Sequence, residues 1–452
     1  MNQLSGSSGT SYCWSKYNLI FQSEKYGHLL YNALSNSFAE IDEVTLQELK
    51  SIREDPEHYD FRKNPGLFIQ LWQTKVIVCD REEEDLLNIM ALRQLFSQFD
   101  TSVLGLTIIP TTGCNFTCPY CYERFKRPMV MGEEVEEAII DFIQRFGKIR
   151  YLNINWFGGE PLLAFDRIGH LTEKIQALNI PFQASMPTNG YLLGKEVVDR
   201  LDELKINKIQ VTIDGNEDTH NTRRKHVENG DSYQVIMSNL RYLVDHWDGH
   251  LNLRVNIDSS NRNQFVETYH DLSQKFGQKK INVYPGIVND SPSTNPDINC
   301  QFNREEEIGF YLELYQKHGI QVSSFYPDPN HFGCMATRRN GYIIGPEGEL
   351  YNCFHDLGDA DMVVGHLLGN QSWNLTLLSR YMVGVSPSTD PECVQCFYRP
   401  VCDGGCAQQR LRKKYGHENF DPCVRFKDRL PEVLECYYDL KNKKRDSTQE
   451  RQ

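Results

Sequence analysis

The sequence predicts an α/β fold: an open, partial barrel of six strand–helix units, with a small α+β module before it and a loop-rich, cysteine-bearing region after it. Three observations predict it. Between residues 104 and 317, apolar or alternating runs of strand length take turns with amphipathic helical patterns six times, as parallel strands joined by crossover helices require. Before that, residues 13–98 mix short alternating runs with helical patterns. After about residue 320 the periodicity dissolves into Gly, Pro, Asn, Asp and Cys.

In the first module, Tyr17–Gln22 and His28–Asn32 alternate as short strands do. A helical stretch covers Glu43–Ile52, a further alternating run spans Gly66–Val78, and a helix starts near Glu82. In the central region, 104–320, strands are expected at Leu104–Pro110, Tyr151–Phe157, Phe182–Pro187, Lys208–Ile213, Leu251–Ile257 and Lys280–Tyr284. Helices are expected at Glu133–Phe146, Arg167–Ala177, Lys195–Leu204, Tyr233–His246, Gln264–Phe276 and Arg304–Lys317. Six units fall short of the eight that close a barrel, so the sheet is expected to stay open. Residues 325–438 would be a poor domain without staples, and seven cysteines supply them. The charged tail after Asp439 is expected to be disordered.

At 452 residues with 40% hydrophobic and 11% aromatic content, the chain has ample material for two or three cores. A net charge of -13 argues against a nucleic-acid surface. The polar, small residues 1–12 do not resemble a signal peptide, and no apolar run is long enough to span a membrane. The protein is therefore expected in the cytoplasm. In that reducing compartment, cysteines serve more often as metal ligands or catalytic groups than as disulfides.

Ten of the fourteen cysteines fall into two sets. The first, Cys114-x3-Cys118-x2-Cys121, directly follows the first central strand, at the end of a barrel strand where chemistry is usually sited. A structural zinc site would normally want four protein ligands and a C-x2-C pair. Three thiolates in one tight loop leave one metal position open, which on a four-iron cluster can accept a small chelating molecule through nitrogen and oxygen.

This C-x3-C-x2-C loop, with Tyr120 before its last cysteine, resembles that of the radical S-adenosylmethionine enzymes. Other stretches fit at successive strand ends: Trp156-Phe-Gly158-Gly159-Glu160-Pro161, then Pro187-Thr188-Asn189-Gly190, then Thr212-Ile-Asp214-Gly215 followed by His220, Arg223 and Arg224. Arg254-Val-Asn256 lies in the fifth strand. The resemblance covers roughly residues 104–320. It implies a [4Fe-4S] cluster on Cys114, Cys118 and Cys121 that binds S-adenosylmethionine. Gly158, Gly159, Glu160, Asn189, Thr212 and Asn256 would line the cofactor, with the Gly-Gly-Glu stretch at the methionine amino group. One electron from the reduced cluster would cleave the sulfonium, giving a 5'-deoxyadenosyl radical that takes a hydrogen atom from an unactivated carbon.

The second set is Cys334, Cys353, Cys393, Cys396, Cys402, Cys406 and Cys423, and its spacing resembles the seven-cysteine SPASM domain. That resemblance implies two auxiliary [4Fe-4S] clusters, one held by Cys393, Cys396, Cys402 and Cys423 and the other by Cys334, Cys353 and Cys406. Clusters taking four cysteines each need one more thiol than the set supplies. Sulfatase-maturing relatives place a further cysteine shortly after the first, where this chain reads Met335-Ala-Thr-Arg-Arg-Asn340. An open iron is therefore expected, with Cys300, Cys436 and His355 as candidate stand-ins. The alternative is a pair of structural zinc sites.

The Tyr17–Asn32 run resembles the small winged-helix-like modules that recognise leader peptides in maturases of ribosomal peptides, which accept a peptide as an added strand. Cys13 and Cys79 read as structural thiols. The function implied is a radical enzyme that crosslinks a ribosomally synthesised precursor peptide through a thioether or a C–C or C–O bridge. Its partners would be the leader-bearing peptide and a reductant such as flavodoxin or ferredoxin, with no nucleic acid and no membrane. Two alternatives stand beside it: an anaerobic sulfatase-type formylglycine maturase, and a non-catalytic iron–sulfur peptide-binding protein. No acid or base identifies itself; Asp356, Glu123 and Tyr398 lie near the cysteine motifs and read as solvated or packing residues.

Overall fold

The computed structural model describes residues 11–79, 81–123, 127–277, 281–288, 302–322, 324–327, 333–369 and 372–449. The chain divides into two compact units. One joins Met1–Gln98, Ser324–Cys334 and Gly384–Gln452; the other joins Phe99–Ser323 and Met335–Val383. Residues 325–438 thus contribute to both.

The first unit opens with β1 (Tyr12–Trp14), β2 (Asn18–Ser23), β3 (Gly27–Asn32) and β4 (Ser37–Ile41). It continues through α1 (Glu43–Glu54), α2 (Pro65–Gln73), β5 (Ile77–Cys79) and α3 (Glu82–Phe99). Strands β2, β3 and β4 form an antiparallel meander, and β1 pairs with β5. Helix α1 starts where Asp42 accepts a hydrogen bond from the Thr45 amide at 2.7 Å. The run Gly66–Val78 is not the strand its alternation suggests. Asn64 caps the Leu67 amide at 3.1 Å and Pro65 occupies the first turn, so the chain starts a helix there, and only Ile77–Cys79 is extended.

The second unit carries β6 (Val103–Thr111), α4 (Glu133–Arg145), β7 (Tyr151–Gly158), α5 (Phe165–Ala177), β8 (Phe182–Thr188), α6 (Lys195–Val198) and β9 (Ile206–Thr212). It continues through α7 (Glu217–Arg223), α8 (Tyr233–His246), β10 (His250–Ile257), α9 (Phe265–Phe276), β11 (Ile281–Ile287) and α10 (Arg304–His318). Short elements β12 (Gly341–Ile344), β13 (Glu349–Tyr351), β14 (Gly365–His366) and α11 (Leu375–Ser379) follow. The six strands β6 to β11 pair in sequence order and all parallel. This is the α/β architecture expected, with two differences. The third expected helix stops at Val198 and gives way to turns that end at Lys205, a residue with φ of 58°. The loop-rich stretch adds strands: β12 pairs parallel with β6, and β13 and β14 extend the sheet to nine strands. Gly341-Tyr-Ile-Ile344 is buried throughout, so no alternation marked it. Lys280, expected to begin the last strand, lies outside the described residues.

Alternation along the six parallel strands decides what faces the helices. Leu104, Leu106, Ile108, Leu152, Ile154, Trp156, Met186, Ile209, Val211, Leu251, Leu253 and Val255 are buried on that side. The opposite, inner face carries Asn155, Ser185, Gln210, Arg254 and Tyr284, with Asn155 beside Ser185 and Arg254 beside both Thr212 and Tyr284 in the register. Two hydrogen bonds knit it: Ser185 Oγ to Asn155 Oδ1 at 2.9 Å and Tyr284 hydroxyl to Gln210 Oε1 at 2.5 Å.

The first unit is completed by α12 (Pro391–Val394), α13 (Ala407–Gly416) and α14 (Leu430–Gln449). Tyr17, Tyr31 and Val78 of the N-terminal module share one core with Val401, Leu430 and Leu434. The tail after Asp439 does not lose structure at once as expected, since α14 continues to Gln449. Its start is tethered: the Tyr438 hydroxyl donates to Glu40 at 2.6 Å and Lys25 pairs with Asp439. No helix among the described residues is long and apolar enough to cross a membrane.

Candidate active site

The first cysteine loop leaves the end of β6 and is clipped at its base. Thr111 Oγ1 donates to the Met129 carbonyl at 2.7 Å, and the Met131 amide donates to the Pro110 carbonyl at 2.9 Å. Further along, the Thr117 amide donates to the Lys225 carbonyl and the Val227 amide to the Asn115 carbonyl, each at 2.9 Å, so the segment after α7 forms the loop's other wall.

Gly158 and Gly159 are required by packing. A Cβ on Gly158, where φ is +123°, would run into the Thr111 carbonyl. A Cβ on Gly159 would run into the Gly113 carbonyl and lie 2.6 Å from that of Thr112. Only glycine lets the end of β7 lie against the cysteine loop. Glu160, fully buried, then accepts from the Asn189 amide at 2.6 Å, Thr188 Oγ1 at 2.7 Å and the Leu162 amide at 3.1 Å. Burial raises its carboxyl and these donors oppose the rise. Asn189 Nδ2 in turn donates to Asn115 Oδ1 at 2.7 Å. Thr212 and Asn256 lie at the ends of β9 and β10, both buried.

A second layer of contacts centres on Tyr120. Its hydroxyl donates to Asp214 Oδ2 at 2.5 Å and accepts from Arg224 at 2.8 Å and from Asn256 Nδ2 at 3.2 Å. Arg223 bridges Asp214 at 3.1 Å and Asp258 at 2.8 Å, so one guanidinium joins two buried carboxylates while Arg224 reaches Asp214 through the Tyr120 hydroxyl. The sequence alone assigns Asp214, Arg223 and Arg224 no role. The Asp-Gly at a strand end was the signal, and its meaning depends on partners 94 positions away.

The donor set fits a cubane cluster. Burial pushes the Cys114 thiol up to about 12 and Cys121 up to about 11, each raised further by the neighbouring thiols; Cys118 is raised by burial and lowered by Arg224. Such thiols are neutral until something cationic takes their protons. Among the described residues no three His, Cys, Asp or Glu side chains converge on one ion. A cubane does not ask for that, because each thiolate binds a different iron.

In the first unit, Cys393, Cys396, Cys402 and Cys423 sit on segments held by a separate framework. Arg410 donates to Cys393 Sγ at 3.2 Å and pairs with Asp390, which caps the turn carrying that cysteine. Gly405, with φ of +71°, lies so close to the Pro422 carbonyl that no Cβ fits, and the Cys406 amide donates to the same carbonyl at 3.3 Å. Burial raises Cys402 to about 11, with Cys393 and Cys396 adding to the rise. Cys334 and Cys406 belong to this unit and Cys353 to the other. The His355 ring packs tilted against that of Tyr122, with centroids 4.8 Å apart, while Cys436 is buried in α14 and Cys300 lies outside the described residues. Cys13 and Cys79 lie on the paired strands β1 and β5, where the Cys79 thiol donates to Glu82. Asp356 is buried and bonded by the Tyr381 hydroxyl, and Tyr398 accepts from the Asp428 amide at 3.2 Å; both have structural partners. Glu123 is buried beside the first cysteine loop.

The chain thus places a three-thiol loop at the carboxyl end of the first strand of a mostly parallel α/β sheet. Residues 108–272 match the model of the Radical SAM superfamily, so the chain carries a radical SAM domain and is an enzyme. That family implies a [4Fe-4S] cluster with S-adenosylmethionine. The chain is similar to a GTP 3',8-cyclase of Aquifex aeolicus (strain VF5), 24% identical over 56% of this chain and 84% of that one. It is also similar to a serine-type anaerobic sulfatase-maturating enzyme of Klebsiella aerogenes, 23% identical over 71% of this chain and 85% of that one. In fold it resembles Streptococcus suis SuiB bound to precursor peptide SuiA, with a TM-score of 0.52 and 16% identity over 93% of this chain and 99% of that one.

Proposed function

We propose that this enzyme modifies a ribosomally synthesised precursor peptide by abstracting a hydrogen atom and closing a crosslink, either a thioether or a C–C or C–O bridge. The observation that carries the reading is the composition of the first unit. The N-terminal strand module and the thiols Cys393, Cys396, Cys402 and Cys423 are built into one compact body, with Tyr17 and Tyr31 packed against Val401, Leu430 and Leu434. A module suited to holding a peptide and a set suited to auxiliary clusters thus share one core. The likeness to SuiB, whose structure holds its precursor peptide, supports the same reading.

In this reading the meander β2–β3–β4 offers an edge for an added strand, and α3 presents Ile89, Leu92, Leu95, Phe96 and Phe99 as an exposed apolar stripe. When bound, the first cluster with S-adenosylmethionine supplies a carbon radical able to take hydrogen from an unactivated carbon. The chain's own residues hold and orient: Glu160 is locked by Thr188 and the Asn189 amide, and the Tyr120–Asp214–Arg224 network fixes the cysteine loop. The seven-cysteine set would hold two auxiliary clusters, the one on Cys334, Cys353 and Cys406 lacking a fourth thiol. The electron donor would be of flavodoxin or ferredoxin type, in the cytoplasm.

A sulfatase-type maturase is the second reading, favoured by the alignment along 85% of the Klebsiella enzyme. Mass alone does not separate the two, because closing a crosslink and oxidising a serine side chain to an aldehyde both remove two hydrogens. The test is anaerobic co-expression with a short peptide encoded beside the gene, followed by hydroxylamine. Loss of two hydrogens with no oxime supports crosslinking, and oxime formation establishes the aldehyde. An unmodified peptide with S-adenosylmethionine still cleaved would refute that peptide as substrate.

A further inference from the structure

On the inner face of the sheet, Arg254 forms no ion pair among the described residues. Arg254 sits on the inner face of β10, half-buried, beside Thr212 of β9 and Tyr284 of β11. Its Nε donates to Asn256 Oδ1 at 2.8 Å. Of the acids at the mouth, Asp214 and Asp258 pair with Arg223 and Glu160 accepts from backbone amides and Thr188, while Glu123, buried beside the cysteine loop, forms no ion pair with Arg254. The neighbouring inner-face residues Asn155, Ser185, Gln210 and Tyr284 are neutral. Lys208, the other cation on that face, is exposed toward the amino-terminal end of β9.

The position is also shaped for this side chain. Arg254 crosses the space where Gly286 of β11 has no Cβ; a methyl there would lie 2.7 Å from Cζ and 2.8 Å from one terminal nitrogen of the guanidinium. Asn256 links it to the active-site loop, because Asn256 Nδ2 donates to the Tyr120 hydroxyl. A guanidinium held by one neutral acceptor inside a sheet, with its fork otherwise uncommitted, matches a planar carboxylate.

We infer that Arg254 is a substrate-positioning residue that binds a carboxylate of the substrate, either an acidic side chain or a peptide C-terminus, in the barrel below the cysteine loop. The inference rests on the reading of this site as one that takes a peptide, and it narrows that peptide to one with a carboxylate near the carbon that loses hydrogen. Asn256 sets the direction of the guanidinium and Gly286 gives it room.

The test uses the cluster-loaded enzyme with S-adenosylmethionine bound and three probes read by ligand-observed NMR. These are N-acetylglutamate α-amide, its neutral isostere N-acetylglutamine α-amide, and N-acetylalanine. At least one carboxylate probe should bind roughly tenfold or more tightly than the neutral isostere. Preference for the first would assign a side-chain carboxylate, and preference for the third a C-terminus. Arg254→Gln should reduce the preference to under about twofold, Arg254→Lys should keep part of it, and Gly286→Ala, which displaces a guanidinium still charged, should weaken it. No preference in the native enzyme would overturn the inference, as would a preference that survives Arg254→Gln. A tenfold or larger loss of S-adenosylmethionine affinity in Arg254→Gln would overturn it too, by assigning the guanidinium to the cofactor's own carboxylate. None of these readouts depends on product, so they can fail while a peptide is still modified, and stand if none is.

Discussion

The two regions rich in cysteine are assembled by opposite routes. Cys114, Cys118 and Cys121 lie within eight residues of chain, on a loop leaving one strand, and long-range contacts only brace them: Tyr120 to Asp214, Thr117 to Lys225. Cys393 and Cys396 share one turn while Cys402 and Cys423 lie on others, and Arg410, Asp390 and the Gly405–Pro422 approach tie those segments together. The first site is fixed by local chain geometry with a tertiary clamp. The second exists only as tertiary structure, which makes it the more fragile of the two and the more easily separated from the rest.

The largest effect that would break this comparison comes from the ligands themselves. Cys118→Ala should lower 5'-deoxyadenosine formation by more than about 100-fold, since the cluster with the open iron cannot assemble; turnover near the native rate would remove that loop from the site. Cys396→Ala should instead leave 5'-deoxyadenosine measurable while abolishing the modified peptide. If both variants lose both products equally, the two regions do not act separately.

A smaller and more local effect tests the glycines. Gly159→Ala meets two backbone carbonyls that cannot rotate away, so the cysteine loop must move, at a cost of about 1–3 kcal/mol. Gly405→Ala imposes a similar clash on the second framework. Iron analysis and absorption after anaerobic reconstitution should show each variant short by about four irons per chain, the content of one cluster lost from its own region. Only Gly159→Ala should fail to bind S-adenosylmethionine. Equal deficits in cofactor binding would show that the regions fold as one.

This contrast also explains what was legible in the sequence. The six strand–helix units were readable because each strand buries one face in a regular alternation, and the three-cysteine loop because its spacing is local. The Gly-Gly-Glu stretch was legible as a motif at a strand end, but the room its glycines make for the loop and the donors its carboxylate meets were not, because Thr111, Gly113, Thr188 and Asn189 lie elsewhere along the chain. The helix at Pro65–Gln73 was read as a strand because a fully apolar face alternates by chance over a few residues, while Asn64-Pro65 carried the stronger capping signal. The strand at Gly341–Ile344 and the Arg254–Gly286 fit were not readable at all, because each is defined by a partner far along the chain.

The smallest expected effect concerns the seam inside the first unit. The Tyr17 hydroxyl is fully buried and makes no hydrogen bond, and burial, with the Glu83 carboxylate and the Cys396 thiol adding to the effect, pushes its pKa up to about 12. A buried hydroxyl without a partner is a cost, so in the iron-free chain Tyr17→Phe should leave stability unchanged or raise it by up to about 1 kcal/mol in urea unfolding. Loading the second framework converts the nearby Cys396 thiol to a thiolate, a far better acceptor for that proton. In the iron-loaded protein the same substitution should therefore become destabilising by about 1 kcal/mol and should shift the reduction potential of the auxiliary iron, leaving that of the first cluster where it was. An identical response in loaded and iron-free protein would mean that Tyr17 merely packs there. A change of sign would show that the N-terminal module contributes a hydrogen bond to the second thiol set.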